Sequence, residues 1–156
     1  MPAIRAALLS LLLALPAHAQ DATTVTLTAP GVETVALTPE SLAAMPMLDQ
    51  QISFQSAKGP ESAIYRGVLL WYVLSTSTSV EDDVKSSLRQ TVLVSARDGH
   101  QVAFSVGEIA PEFGNTPVML AVEQDGKPMA DGLRVVVPGD TRGARNIRDV
   151  TAIELH

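Results

Sequence analysis

Polar and apolar residues alternate through "TTVTLTAP" at 23–30, the period-two pattern of a strand with one buried face. The pattern repeats in "ETVALT" at 33–38 after the turn pair Pro30-Gly31, so the two segments predict a hairpin. Thr38-Pro39-Glu40 then predicts a helix start. Thr caps, Pro takes the first helical position, and Glu faces the positive helix end. The helix continues through "SLAAM" and stops at Pro46. "QISFQ" at 51–55 predicts a strand, "SAKGPES" at 56–62 a loop, and "AIYRGVLLWYVLS" a strand that becomes an apolar helix near Leu69. Ser79–Leu88 predicts a second helix, capped by the pair Ser79 and Asp82. "TVLVSAR" at 91–97 and "HQVAFSV" at 100–106 predict an antiparallel pair joined at Asp98-Gly99. "GEIAPEFG" predicts a short helical turn and loop. "PVMLAVEQ" at 117–124, "LRVVVPG" at 133–139 and a segment resuming at "RNIRDVTAIEL" predict the remaining strands. Strands follow hairpin turns, not long helical crossovers. The expected class is therefore α+β, with a mixed, largely antiparallel β-sheet and short helices.

The first residues follow a different pattern. Arg5 precedes an apolar run from Ala6 to Leu15, then Pro16 and the small-x-small site Ala17-His18-Ala19. That order is a secretory leader, residues 1–19, with cleavage expected after Ala19. The run is too short for a mature transmembrane helix, and no membrane span is expected after cleavage. Residues 20–156 suit one domain by length. A periplasmic or secreted location follows as the expectation. Arg5 stands without a second Arg beside it, unlike a twin-arginine leader.

Composition excludes several chemistries. The chain has 11 Lys and Arg against 17 Asp and Glu, and removing Arg5 with the leader leaves a formal charge of −7. That balance argues against nucleic acid as a partner. There is no Cys, so disulfides, thiolate metal sites and Cys nucleophiles are excluded. Only His100 and His156 follow the leader, too few for a histidine metal site. Phosphate-cradling and nucleophile-elbow motifs are absent. Asp98 and His100 are more simply explained by their turn than by a hydrolytic triad.

Within this acidic chain, Arg134, Arg142, Arg145 and Arg148 crowd into "RVVVPGDTRGARNIRDV" at 134–150. Arg134 stands inside an apolar strand, and a buried guanidinium needs a carboxylate, carbonyls or an anionic ligand. Two explanations stay open. The arginines pair with Asp140, Asp149, Glu123 and Glu154, or they hold an anion. In a continuing strand, Arg145 and Arg148 point to opposite faces unless a turn intervenes.

"LRVVVPG" followed by "GARNIR" resembles the C-terminal part of the molybdopterin-binding domain of sulfite-oxidase-like oxidoreductases. "YRGVLLWYVL" at 65–74, "DGHQVAFSVGEI" at 98–109 and "MLAVEQDGKPM" at 119–129 are similar to three further stretches of that family. The resemblance covers most of residues 20–156 and implies a single-domain sulfite-oxidase-like, molybdopterin-binding fold. It also implies a Cys thiolate on molybdenum, in the loop that here reads "FQSAKGPESAIYRGV", with Ser56 near that position. A His expected before Arg134 is replaced by "MADGL", and the leader is not of the twin-arginine kind. These departures imply a chain that keeps the fold and lacks a working molybdenum centre, with no catalytic residue assigned. The expected ligand-binding residues are Arg134, Arg142, Arg145, Arg148, His100, Ser56 and Tyr65. The expected partner is a small anion or a periplasmic protein. No cofactor is expected, with molybdopterin the possibility that the resemblance carries. A molybdopterin-dependent oxidoreductase with non-thiolate ligation, or an accessory or sensor module, are the alternatives.

Overall fold

A computed structural model describes residues 23–156, so the leader expected at 1–19 lies outside the described residues. Alternation in the first two segments produces β1 (Val25–Thr28) and β2 (Val35–Leu37), an antiparallel hairpin in which Val25 faces Leu37. Val25, Leu27 and Leu37 are buried. Helix α1 (Pro39–Ala43) starts where Thr38-Pro39 predicts. Its cap is reciprocal: the Ser41 N–H donates to Thr38 Oγ1, and the Thr38 N–H donates to Ser41 Oγ. The last strand, β10 (Val150–Leu155), lies parallel to β1 and antiparallel to β5 (Thr91–Ala96). With β6 (Gln101–Ser105) this gives a five-stranded sheet ordered β2-β1-β10-β5-β6. The two ends of the described chain are thus joined by backbone hydrogen bonds.

The second sheet is entirely antiparallel. It consists of β3 (Leu48–Ser56), β4 (Gly59–Leu69) and β7 (Met119–Gln124), with the short β8 (Lys127–Pro128) and β9 (Arg134–Val136) both paired to β7. Helix α2 (Leu70–Ser77) leaves β4 directly, in accord with the change of pattern at Leu69. Two four-residue helical turns, α3 (Val84–Ser87) and α4 (Val106–Ile109), complete the set.

The largest apolar cluster takes residues from both sheets, such as Val92, Phe104 and Ile153 from the first and Val68, Leu120 and Val135 from the second. Leu42, Leu70, Val73 and Leu74 seal it with the helices. Because side chains alternate along a strand, the second sheet has another apolar face. Ile52, Phe54, Ala63, Tyr65, Met119, Ala121 and Val136 form that smaller cluster. Arg134 faces the same way, since it pairs directly with Ala121 in the β7–β9 register.

Three sequence expectations are corrected. Residues 56–62 are not a loop: they form a tight hairpin, with Ser56 opposite Gly59 and Phe54 opposite Glu61. Gly59, at φ 120°, takes a backbone conformation that L side chains rarely adopt. The helix expected over 79–88 shrinks to Val84–Ser87, and its cap is Asp83, not Ser79. Val80 is buried, and the hydroxyl of Ser87 donates to its carbonyl, so residues 79–83 are held as turns against the core. The last strand, expected over 148–155 with the segment resuming at 145, begins only at Val150. Gly143–Arg145 is a 3-10 turn and Asp149 has φ 49°, which breaks the simple alternation of Arg145 and Arg148.

Candidate functional site

Where the 141–148 segment crosses the outer face of the second sheet, it borders an open cavity of about 470 Å³. Backbone bonds set that crossing. The Gln55 N–H donates to the Thr141 carbonyl at 2.9 Å, and Gln55 and Arg142 form an isolated parallel bridge. Gly143 then lies so close to Phe54 that a Cβ there would sit 2.6 Å from its ring. Phe54 and Arg134 line the cavity, with Ser56 and Glu61 from the β3–β4 hairpin and Arg142, Asn146 and Arg148 from the crossing segment.

Arg134 decides the chemistry of this cavity. It is only 5% exposed. Its Nη1 donates to the hydroxyl of Tyr65 at 2.9 Å, and its guanidinium carbon lies 5.2 Å from the Tyr65 ring and 5.7 Å from the Phe54 ring. Aromatic faces attract a cation. They do not accept its remaining N–H groups as a carboxylate would. Among the described residues no carboxylate lies in ion-pair range of Arg134, and its Nε has no acceptor. Burial accordingly holds its pKa below the ordinary guanidinium value, against smaller opposing effects from Tyr65 and Glu61.

Asn146 adds a second free donor. The Val137 N–H donates to Asn146 Oδ1 at 2.8 Å, which fixes the amide orientation. Its Nδ2 is then left buried with no acceptor, in a residue 7% exposed. Arg134 and Asn146 both line the cavity, and each keeps a buried donor without an acceptor, where buried polar groups are ordinarily satisfied. Arg142 and Arg148 bring positive charge to the same cavity. Arg148 Nη2 makes a loose contact of 3.4 Å with Glu61 Oε2.

The other sequence candidates lie elsewhere or behind. Arg145 does not line this cavity: it makes a bidentate pair with Asp140, at 2.9 and 2.7 Å, and a third bond to Glu108 at 2.7 Å. These bonds raise its pKa above the ordinary value, the Asp140 bond most and Glu108 next. Of the acid pairings considered from sequence, Asp140 is thus realised with Arg145, while Asp149 pairs with Arg97 at 2.9 Å. Tyr65 stands behind Arg134, 1% exposed, and positions it. His100 lines a smaller neighbouring cavity of about 250 Å³, where its Nε2 lies 2.9 Å from the Ala144 carbonyl. Gly143, Ala144, Asn146 and Arg148 line both cavities, so the segment is their shared wall. Sequence reasoning passed over Asn146 and Glu61. Period-two phasing from Tyr65 back through Ala63 puts Glu61 on the Arg134 face, a signal that needs the strand to extend through 59–62.

The fit to a molybdenum centre is poor. Ser56, nearest the expected thiolate position, donates from its hydroxyl to the Gly59 carbonyl at 3.0 Å and accepts the Lys58 N–H at 3.1 Å. Its oxygen is bound into its own turn, and the chain has no Cys. The arginines suit a phosphate group, but the residues here do not supply the soft ligand that molybdenum takes from this family. Among the described residues, no group of three His, Asp or Glu side chains could hold a metal ion, and no helix is long and apolar enough to cross a membrane.

No family model and no curated protein matches the chain. Among solved structures, the sulfane dehydrogenase SoxCD from Paracoccus pantotrophus is similar, with a TM-score of 0.68 at 17% identity. The match covers 86% of this chain and 38% of that one, so this chain spans well under half its neighbour's length. At that identity the likeness concerns the fold alone, α+β with mixed sheets and few short helices.

Proposed function

We propose that this chain is an exported domain that binds a small oxyanion in the cavity around Arg134, in a fold distantly like that of molybdopterin oxidoreductases but without a working molybdenum centre. One observation carries the reading: Arg134 Nε and Asn146 Nδ2 are buried donors without acceptors beside one cavity. Unmet buried donors cost about 1–3 kcal/mol each. An oxyanion would satisfy both and neutralise the guanidinium. The leader-like residues 1–19 support export to a periplasmic or secreted location. Thermal unfolding against a panel of phosphate, sulfate, nitrate and molybdate tests the binding. At least one oxyanion is expected to raise the midpoint, because a ligand of the native state stabilises it. No rise with any anion, in protein purified free of bound ligand, would overturn the proposal in favour of a protein-docking module.

A second reading is a molybdopterin-dependent oxidoreductase with non-thiolate ligation, and the fold likeness to SoxCD favours it. The hydrogen bonds that occupy Ser56 oppose it. Mass spectrometry of metals in protein purified from its native compartment separates the two. Stoichiometric molybdenum would decide for the enzyme.

A further inference from the structure

Glu61 is out of place in a site built only for anions. Its carboxylate shares the cavity with Arg134, Arg142 and Arg148, in a protein whose other acidic residues have most of the surface available. The β3–β4 register puts it there: Glu61 pairs with Phe54, on the same sheet face as Ala63 and Tyr65. Its side chain is 30% exposed. One oxygen, Oε2, takes the 3.4 Å contact from Arg148, and Oε1 has no hydrogen-bond partner among the described residues. Its negative charge is felt at both Tyr65 and Arg134: it adds to the burial that raises the Tyr65 pKa and partly opposes the burial that lowers that of Arg134.

Resting on the oxyanion reading, we infer that Glu61 makes the cavity select a tetrahedral oxyanion that carries its own proton, such as hydrogen phosphate or hydrogen arsenate, over one that carries none, such as sulfate. Three guanidinium groups and one carboxylate leave two positive charges, which suits a dianion. The free donors of Arg134 and Asn146 take ligand oxygens. The carboxylate oxygen accepts the ligand O–H. Sulfate has the same size and charge as hydrogen phosphate but no proton near neutral pH. Its oxygen would face the Glu61 carboxylate with lone pairs on both sides, and such an unpaired contact is how a polar site rejects an isostere.

Calorimetric titration of the whole chain with inorganic phosphate, sulfate and methyl phosphate at pH 8 tests this. Methyl phosphate is then a dianion without an O–H, so it separates free phosphate from a phosphate ester. Phosphate is expected to bind at least tenfold more tightly than either of the others. Glu61→Gln is expected to narrow the phosphate-to-sulfate ratio about tenfold, because an amide N–H can meet a sulfate oxygen. Equal binding of sulfate and phosphate by the parent protein would overturn the role of Glu61 and leave the oxyanion site standing. So would a ratio that Glu61→Gln leaves unchanged. If none of the three anions binds while another oxyanion does, the selectivity is overturned alone, and if no anion binds at all, the oxyanion reading falls with it. Circular dichroism of Glu61→Gln checks that the β3–β4 hairpin is intact.

Discussion

Arg134 is joined to Tyr65 by a 2.9 Å hydrogen bond, with the Phe54 and Tyr65 rings both within 6 Å of its guanidinium carbon and, among the described residues, no carboxylate near enough to pair with it. A buried ion held this way costs stability in the unliganded protein, and a ligand of opposite charge recovers it. Arg134→Met is therefore expected to leave unliganded stability within about 1 kcal/mol of the parent, since the lost Tyr65 bond offsets the removed desolvation. The anion-induced rise in melting temperature should vanish in the same variant. Urea unfolding with and without phosphate measures both. A large loss of stability with anion response retained would show that Arg134 serves the fold alone.

Arg145 should behave in the opposite way. Its three bonds to Asp140 and Glu108 hold the loop that follows β9. All three side chains are partly exposed, so solvent weakens the pairs. Arg145→Met is expected to cost about 1–2 kcal/mol, less at high salt. Anion affinity should fall only through the loosened loop, and chemical denaturation at two ionic strengths reads the difference.

Tyr65 gives a pH signature. Burial raises its pKa above the ordinary 10.0, and the Arg134 charge partly offsets that rise. A phenol whose folded-state pKa is raised holds its proton more firmly in the native state. Its contribution to stability is complete below pH 10 and is lost as pH rises through the folded value. The expected fall in stability above pH 10 should be smaller in Tyr65→Phe. A bound anion neutralises Arg134 and removes the offset, so saturation with ligand should move the tyrosinate absorbance to still higher pH. Spectrophotometric titration follows both effects.

Two glycines are expected to rank differently. At Gly67 a Cβ would collide with the backbone carbonyl of Leu120 and with Ala121 Cα, where β4 meets β7 at a bulge. Backbone there has nowhere to go, and Gly67→Ala should cost at least about 3 kcal/mol. At Gly143 the obstacle is the Phe54 ring. Gly143→Ala should cost about 1–3 kcal/mol and weaken anion binding as well, because the ring and the wall of the cavity must part. Thermal melts with and without phosphate distinguish the two.

Export has its own check. If residues 1–19 are removed as proposed, N-terminal sequencing of protein recovered outside the cytoplasm reads Gln20-Asp21-Ala22.

Much of this fold could be read from local pattern, where local physics decides the outcome. The Thr38 cap, the change from strand to helix at Leu69 and the Asp98-Gly99 hairpin each depend on a few adjacent residues. Pro60 stands within β4, although Pro usually interrupts a sheet. Here it lies beyond the stretch of β4, Tyr65–Leu69, that β7 pairs with, so its missing N–H is not needed on that side. Ser79 misled because the burial of Val80 outweighs a favourable cap. For the site, the sequence pointed to the arginine-rich segment but not to its division of labour. Arg145 and Arg148 are three residues apart, and only a turn at 143–145 with left-handed Asp149 sends one to an ion-pair network and the other to the cavity. The part played by Asn146 depends on a tertiary bond, from the Val137 N–H to its Oδ1, that no local pattern encodes.

The Arg145 network has a thermodynamic consequence. It fixes the wall that carries Asn146 from the far side, with bonds that no ligand needs to form. On the proposed reading, the donors are already held in place before an anion arrives. Such a preorganised receptor gives up little conformational entropy on association. Free and occupied forms should superimpose closely, and selectivity should arise from what the rigid frame refuses to accommodate.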